Sequence, residues 1–334
     1  MTRSSPSYPL LLGGLALLAV IAFILSLVIG PAAIGWREAV TALFSGGSDP
    51  MVLVMQEIRL PRAILALLIG AILGLSGAVL QGYLRNPLAD PGLLGISSAA
   101  SLGAVISVYS GLAGLVSYAL PAAAMLGAFL AISVIHLLSG RMSDKLTLIL
   151  AGIAVSTLSG ALTSLALNLS PNPFAAIEIV FWMMGSLSDR SMVHVALATP
   201  FLLIGGVMLL ATGRALDALT LGEDVARSVG INLKRTQILA TLGTALGVGA
   251  ATAVAGAIGF VGLIVPHLLR SFVGNMPSRL LPASALGGAC LLLLADTAIR
   301  VVLPGKDLKL GVVTALIGVP FFVVLLLRAR RGDT

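Results

Sequence analysis

Long apolar runs separated by short polar intervals set the pattern of this chain. Runs long enough, or nearly so, to cross ~30 Å of hydrocarbon fall at roughly 8–30, 63–83, 93–113, 117–139, 146–169, 191–212, 236–258, 259–274, 280–300 and 308–327. The pattern predicts an all-α, polytopic membrane protein of ten spans, with residues 1–334 forming one transmembrane domain. Several runs are studded with Gly, Ala and Ser, which suits close helix–helix contact. Residues 170–191, SPNPFAAIEIVFWMMGSLSDRS, carry prolines and Glu178 and predict a short surface or re-entrant helix. The run at 8–30 lacks a small-residue cleavage site and is long for a signal-peptide core, so a retained first helix is expected.

One interruption stands out: YLRNPLADPGLLG at 83–95. Pro87 and Pro91 forbid helix continuation and bias the residues before them to extended conformations. Gly92 and Gly95 allow turning and close packing. Irregular backbone at membrane depth is tolerated only where it is buried in protein or lines a water-filled path.

Composition agrees with the pattern: 58% of residues are hydrophobic and 10% charged, against about half and about a quarter in soluble domains. In such a chain a net charge of +7 speaks of loop orientation, not of nucleic acid. With the N-terminus inside, thirteen of the twenty Lys and Arg fall in inner loops and seven outside, so both termini are expected in the cytoplasm. Three of the outer seven, Arg59, Arg62 and Arg300, sit at helix ends where that rule predicts none.

The segment from Arg62 aligns without gaps on the one from Arg235, pairing Arg62 with Arg235, Gly70 with Gly243 and Gly74 with Gly247. In the ten-span order these helices run in opposite directions, as in an inverted-topology repeat with halves at about 58–169 and 232–328.

Several chemistries lack their residues. No phosphate-cradling G-x-x-x-x-G-K-[ST] occurs, so ATP hydrolysis is not expected in this chain. The three histidines, His136, His194 and His267, have no ligand spacing to another His, Cys or carboxylate, and no metal or cofactor site is expected. Hydrolase signatures are absent. Asp296 is the clearest intramembrane carboxylate, with Arg300 four residues later as an ion-pair partner. The lone Cys290 reads as a small packing residue.

The longest inner loop, 214–235, reads as two short helices. Glu223 and Asp224 begin the second, where acids complement the helix dipole, and Gly230 ends it. Leu219, Leu221, Val225 and Val229 are expected to form an apolar ridge outside the membrane. The ridge is either an ordinary amphipathic face or a docking knob for a soluble partner.

The ordered motifs RLPR (59–62), RNPLADPGLLGIS (85–97), FWMMGSL (181–187), LTLGEDVARSVGI (219–231), GAIGFVGLIVPHLLR (256–270) and LLLLADTAIR (291–300) resemble the permease subunits of ATP-binding-cassette importers for ferric siderophores, heme and vitamin B12. The resemblance runs from about Leu53 to the last helix. It implies a homodimer of ten-helix subunits in the bacterial inner membrane. Two cytoplasmic ATPase subunits, which bind the ATP and Mg, and one periplasmic substrate-binding protein would complete the importer.

By the same resemblance, Arg59, Arg62 and Arg300 receive acidic residues of the binding protein; lipid-headgroup snorkelling is the alternative. Asn86 and Leu88 line the cytoplasmic constriction, with Asp144 and Lys145 as a second layer, while capping of freed backbone groups stays open for Asn86. The 214–235 loop is the ATPase coupling element, with Leu219, Leu221, Gly222, Glu223, Ala226 and Gly230 in it. The implied cargo is a large metal chelate, with a ferric siderophore favoured over cobalamin or heme. A secondary transporter driven by an ion gradient is the rival reading.

Overall fold

Apolar runs rich in small residues form helices that touch backbone to backbone, and this decides the architecture. The computed structural model describes residues 7–30, 35–47, 49–116, 118–139, 145–170, 172–303 and 308–330. Helix α1 (Tyr8–Val28) is followed by α2 (Trp36–Phe44) and α3 (Pro50–Leu53), then a π-helical turn, Val54–Arg59, that leads without a break into α4 (Leu60–Leu84). Pro61 explains the π turn: it donates no N–H, its ring crowds the carbonyl of Glu57, and a widened turn relieves both.

A 3-10 turn, Pro91–Leu94, precedes α5 (Ile96–Tyr109), α6 (Leu112–Leu115), α7 (Ala119–Ser139), α8 (Lys145–Asn168) and α9 (Pro173–Met183). Then come α10 (Met192–Leu210), α11 (Gly213–Thr220), α12 (Glu223–Ser228), α13 (Leu233–Ala255), α14 (Val261–Arg270), α15 (Pro277–Val302) and α16 (Leu310–Arg330).

Among the described residues seven helices are long and apolar enough to cross a membrane: Tyr8–Val28, Pro50–Leu84, Ala119–Leu138, Lys145–Asn168, Met192–Thr220, Leu233–Ala255 and Pro277–Val302. The other three expected runs are also helical but shorter, as Ile96–Tyr109, Val261–Val273 and Leu310–Leu325. Two of them are shortened by irregular backbone at their start, Pro91–Gly95 before α5 and Gly256–Phe260 before α14. The count of ten crossings therefore rests on the sequence pattern. The surface helix expected within 170–191 is α9, whereas the sequence reading missed α2, a short amphipathic helix in the first loop.

The paired helices of the sequence echo, α4 and α13, occupy the centre. Of the most apolar window of each, 78% is buried, against 22% for α1. Helix α15 lies on α4, and their contact is glycine on glycine. A Cβ on Gly70 would run into the Gly288 carbonyl, one on Gly288 into that of Gly70, and one on Gly74 into that of Ser284. Such contact brings two backbones close enough for dispersion along their whole length.

Candidate functional site

The polar residues gather at the two ends of this bundle. At one end the π turn, the start of α4 and the close of α15 bring together Arg59, Arg62 and Arg300. Arg62 grips Asp296 in a bidentate pair, with Nε 3.0 Å from both carboxylate oxygens and Nη2 2.8 Å from Oδ1. The Arg300 guanidinium lies 3.2 Å from the other oxygen, so one buried carboxylate serves two arginines. The Asp296–Arg300 pair expected from their spacing is present; the partner added across the fold is Arg62.

Arg59 and Arg300 also close the C-terminal end of α1. Arg59 Nη1 donates to the carbonyls of Leu27 (2.9 Å) and Val28 (2.8 Å). Arg300 Nη1 donates to those of Ser26 (2.9 Å) and Ile29 (2.7 Å). Cations suit this position because the last carbonyls of a helix lack partners and carry its negative pole. One turn before Arg59, the Gln56 carboxamide does the same for α2, donating to the carbonyls of Ala42, Leu43 and Ser45 at 3.1, 3.1 and 2.9 Å. The three arginines are thus brought together and engaged within the chain. Arg59 is 4% exposed, and Arg62 retains the most side-chain exposure measured in the two Asp296 pairs, 17%. In this cluster three guanidinium groups meet one carboxylate, while Glu38 on α2, Asp49 capping α3 and Glu57 in the π turn lie on the adjoining elements.

The FWMMGSL motif stitches the end of α9 to two other elements. Ser186 N donates to the Ala255 carbonyl (2.7 Å) at the close of α13, and Gly311 N to the Gly185 carbonyl (3.2 Å) at the start of α16. Beside it lies a cavity of about 370 Å³ walled by Phe174, Phe181, Trp182, Glu178, Arg190 and Lys309.

The opposite end holds the 83–95 stretch. Helix α4 ends where Arg85 turns left-handed (φ 53°). Asn86 Oδ1 then accepts from Leu88 N at 2.9 Å, and Asp90 Oδ1 from Gly92 N at 2.8 Å. These two side-chain turns satisfy backbone groups in proline-broken chain. Asn86 is exposed and Leu88 half-buried, so the capping expected as one reading of Asn86 is present, on a residue that also faces outward.

Gly95 (φ 66°) closes the segment, and a Cβ there would sit 2.6 Å from the Gly152 carbonyl of α8. A Cβ on Gly152 would in turn strike the Leu93 carbonyl. Ser98 and Ser156 join hydroxyls across the same contact at 2.9 Å. Asp144 lies outside the described residues. Gln81, fully buried, donates to the Gly262 carbonyl (3.2 Å) and accepts from Arg270 Nη2 (2.7 Å), a link the sequence reading did not find.

Beside this segment lie the two short helices expected from the 214–235 loop, α11 and α12, with turns at Gly222 (φ 112°) and Gly230 (φ 84°). One expectation is corrected. Leu219 is not part of an exposed ridge: it is 1% exposed, because α11 turns Leu216 and Leu219, three residues apart, onto one inward face. The exposed ridge is Leu221 (73%), Val225 (40%) and Val229 (64%), while Ala226 is wholly buried beneath it.

Glu223, at the start of α12, accepts an ion pair from Lys145 Nζ at 2.9 Å. The same ammonium lies 5.6 Å from the centre of the Tyr83 ring at the close of α4. Arg227 sits farther off, 3.8 Å from Glu223 and 3.9 Å from Asp224. Sequence reasoning placed Lys145 and Glu223 in different functional groups, whereas the fold places them in contact.

Against known proteins, the model of the FecCD transport family matches residues 17–328. The hemin transport system permease protein of Yersinia pestis is 38% identical over 325 residues, 96% of each chain. The cobalamin import system permease protein of Halobacterium salinarum is 40% identical, over 84% of this chain and 75% of that one. A solved structure assigned to the metal-chelate type of ABC transporter, in an inward-facing conformation, superposes with a TM-score of 0.83 at 34% identity. The match covers 96% of this chain and 100% of the other.

Proposed function

The chain belongs to the FecCD transport family, and from that premise we propose that it is the membrane permease of an ATP-driven importer for a large metal chelate. In this reading two copies form the conduit in a bacterial inner membrane, both termini face the cytoplasm, and separate ATPase subunits hold the nucleotide and Mg. A periplasmic binding protein delivers the cargo at the arginine end, and alternating access moves it inward. The observation that supports the reading best is the pairing, at one end of the bundle, of proline-broken backbone (85–95) with an exposed apolar ridge in and around α12. The first is what a gate in a conduit needs. The second is what a chain with no nucleotide cradle needs in order to be driven by a partner.

A ferric siderophore, a cobalamin and a heme all remain within the proposed cargo class, with the siderophore preferred on the breadth of the family. Identity to the hemin and cobalamin relatives differs by two points (38 against 40%), which does not choose between them.

The test is uptake into proteoliposomes holding this chain with its ATPase and binding protein. The proposal expects chelate accumulation that requires ATP and the binding protein and survives collapse of the ion gradients. Accumulation that follows a proton or sodium gradient without ATP would establish the secondary transporter instead.

A further inference from the structure

A single ammonium joins three segments at the coupling end. Lys145 opens α8, pairs with Glu223 at the start of α12 (2.9 Å), and lies over Tyr83, the penultimate residue of α4 (5.6 Å). Two of those elements, α4 and α8, lead to the 85–95 segment by a short, stiff route. Tyr83 is buried, and Arg85, two residues on, begins the irregular stretch. Helix α8 meets the far end of the stretch at Gly152, in backbone contact with Leu93 and Gly95, and again through the Ser98–Ser156 hydroxyl pair. Both ends of the irregular segment are therefore held by elements that meet at Lys145.

We propose that Lys145 is a positioning residue, the latch through which displacement of α12 reaches the 85–95 gate; this rests on the permease reading above. The carboxylate that it engages opens α12, which carries Val225 of the ridge, with Leu221 two residues before Glu223 and Val229 just past the helix end, so a partner seated on the ridge moves Glu223 with it. Glu223 draws Lys145 and hence the N-terminal end of α8. Helix α8 shifts Leu93–Gly95 as a body, because two backbones in contact without side chains between them cannot slide past each other cheaply.

The pair is half-exposed in the isolated chain (21% for Lys145, 37% for Glu223), where such a bond is weak. A partner covering α12 excludes water from it and strengthens it. The latch is thus tight when the drive is attached and loose when it is not.

The test uses the assembled importer in proteoliposomes, reading chelate transported per ATP hydrolysed. Lys145→Met and Glu223→Gln are each expected to lower that ratio by about fivefold, the effect of a pair worth about 1 kcal/mol. The exchange Lys145→Glu with Glu223→Lys is expected to recover most of the loss. Wild-type ratios in both single variants, or an exchange no better than the worse of them, would overturn the latch. So would loss of ATPase copurification in Lys145→Met, which would make this residue part of the docking surface. A wild-type complex that shows no ATP-dependent uptake would instead end the permease reading itself.

Discussion

Arg62 and Asp296, 234 residues apart in sequence, form a bidentate ion pair that locks the start of α4 to the end of α15. The carboxylate is 1% exposed and is shared with Arg300. It balances two guanidinium groups that would otherwise face each other inside the protein. Breaking such a pair costs more than forming it gained, since the surviving charges stay buried without compensation.

Asp296→Asn is accordingly expected to destabilise the chain by about 3 kcal/mol, read as a fall in the unfolding temperature of the purified protein in detergent. Arg62→Met is expected to cost less, because Asp296 keeps Arg300. Equal losses in the two variants would show that Asp296 is not the shared centre.

The three arginines around Asp296 give the docking proposal a measurable form. Arg62→Gln is expected to slow association of the binding protein about tenfold at low ionic strength, with the difference shrinking as salt screens it. ATPase copurification is expected to be unaffected, since the ATPase would engage the far end. Association rates equal to wild type at low salt would remove Arg62 from docking.

At the α12 end, exposure separates two neighbours that the sequence treats alike. Leu221→Asp is expected to abolish ATPase copurification while leaving the unfolding temperature unchanged, because the side chain is 73% exposed. Ala226→Trp is expected to lower stability itself by about 1–3 kcal/mol, the usual cost of overpacking a filled site. A stable Leu221→Asp variant that still binds the ATPase would move the docking surface elsewhere.

Gly95→Ala combines a left-handed backbone (φ 66°) with a Cβ aimed at the Gly152 carbonyl. A loss of about 1–3 kcal/mol in stability is expected, together with protease sensitivity confined to 85–95. A variant as stable as wild type would mean that the 85–95 segment does not rest on α8.

Much of this was legible in the chain. The helical runs, the broken stretch at 83–95 and the two turns around Glu223 follow from apolar period, proline and glycine, which act locally. The Asp296–Arg300 pair was readable too, since four residues on a helix face one another. What was hidden depends on distant partners. Arg62 meets Asp296, and Lys145 meets Glu223, only after the helices have packed. Leu219 reads as an exposed ridge residue until α11 is seen to turn it against the core. Arg59 looks like a free surface cation because nothing local shows that the carbonyls at the end of α1 take it up. Helix α2 was passed over because a nine-residue amphipathic segment between glycines carries little period to read.

In the proposed importer, energy supplied through α12 moves the segment at Leu88. The native thiol, Cys290, is buried (4% exposed), so a Leu88→Cys substitution supplies the accessible reporter of each copy of this chain. The decisive measurement is the rate at which a membrane-impermeant thiol reagent labels that cysteine from the ATPase side, in the complete importer, with and without ATP turnover. A change of about tenfold or more is expected, abolished by Leu221→Asp. A labelling rate indifferent to ATP would contradict the proposal.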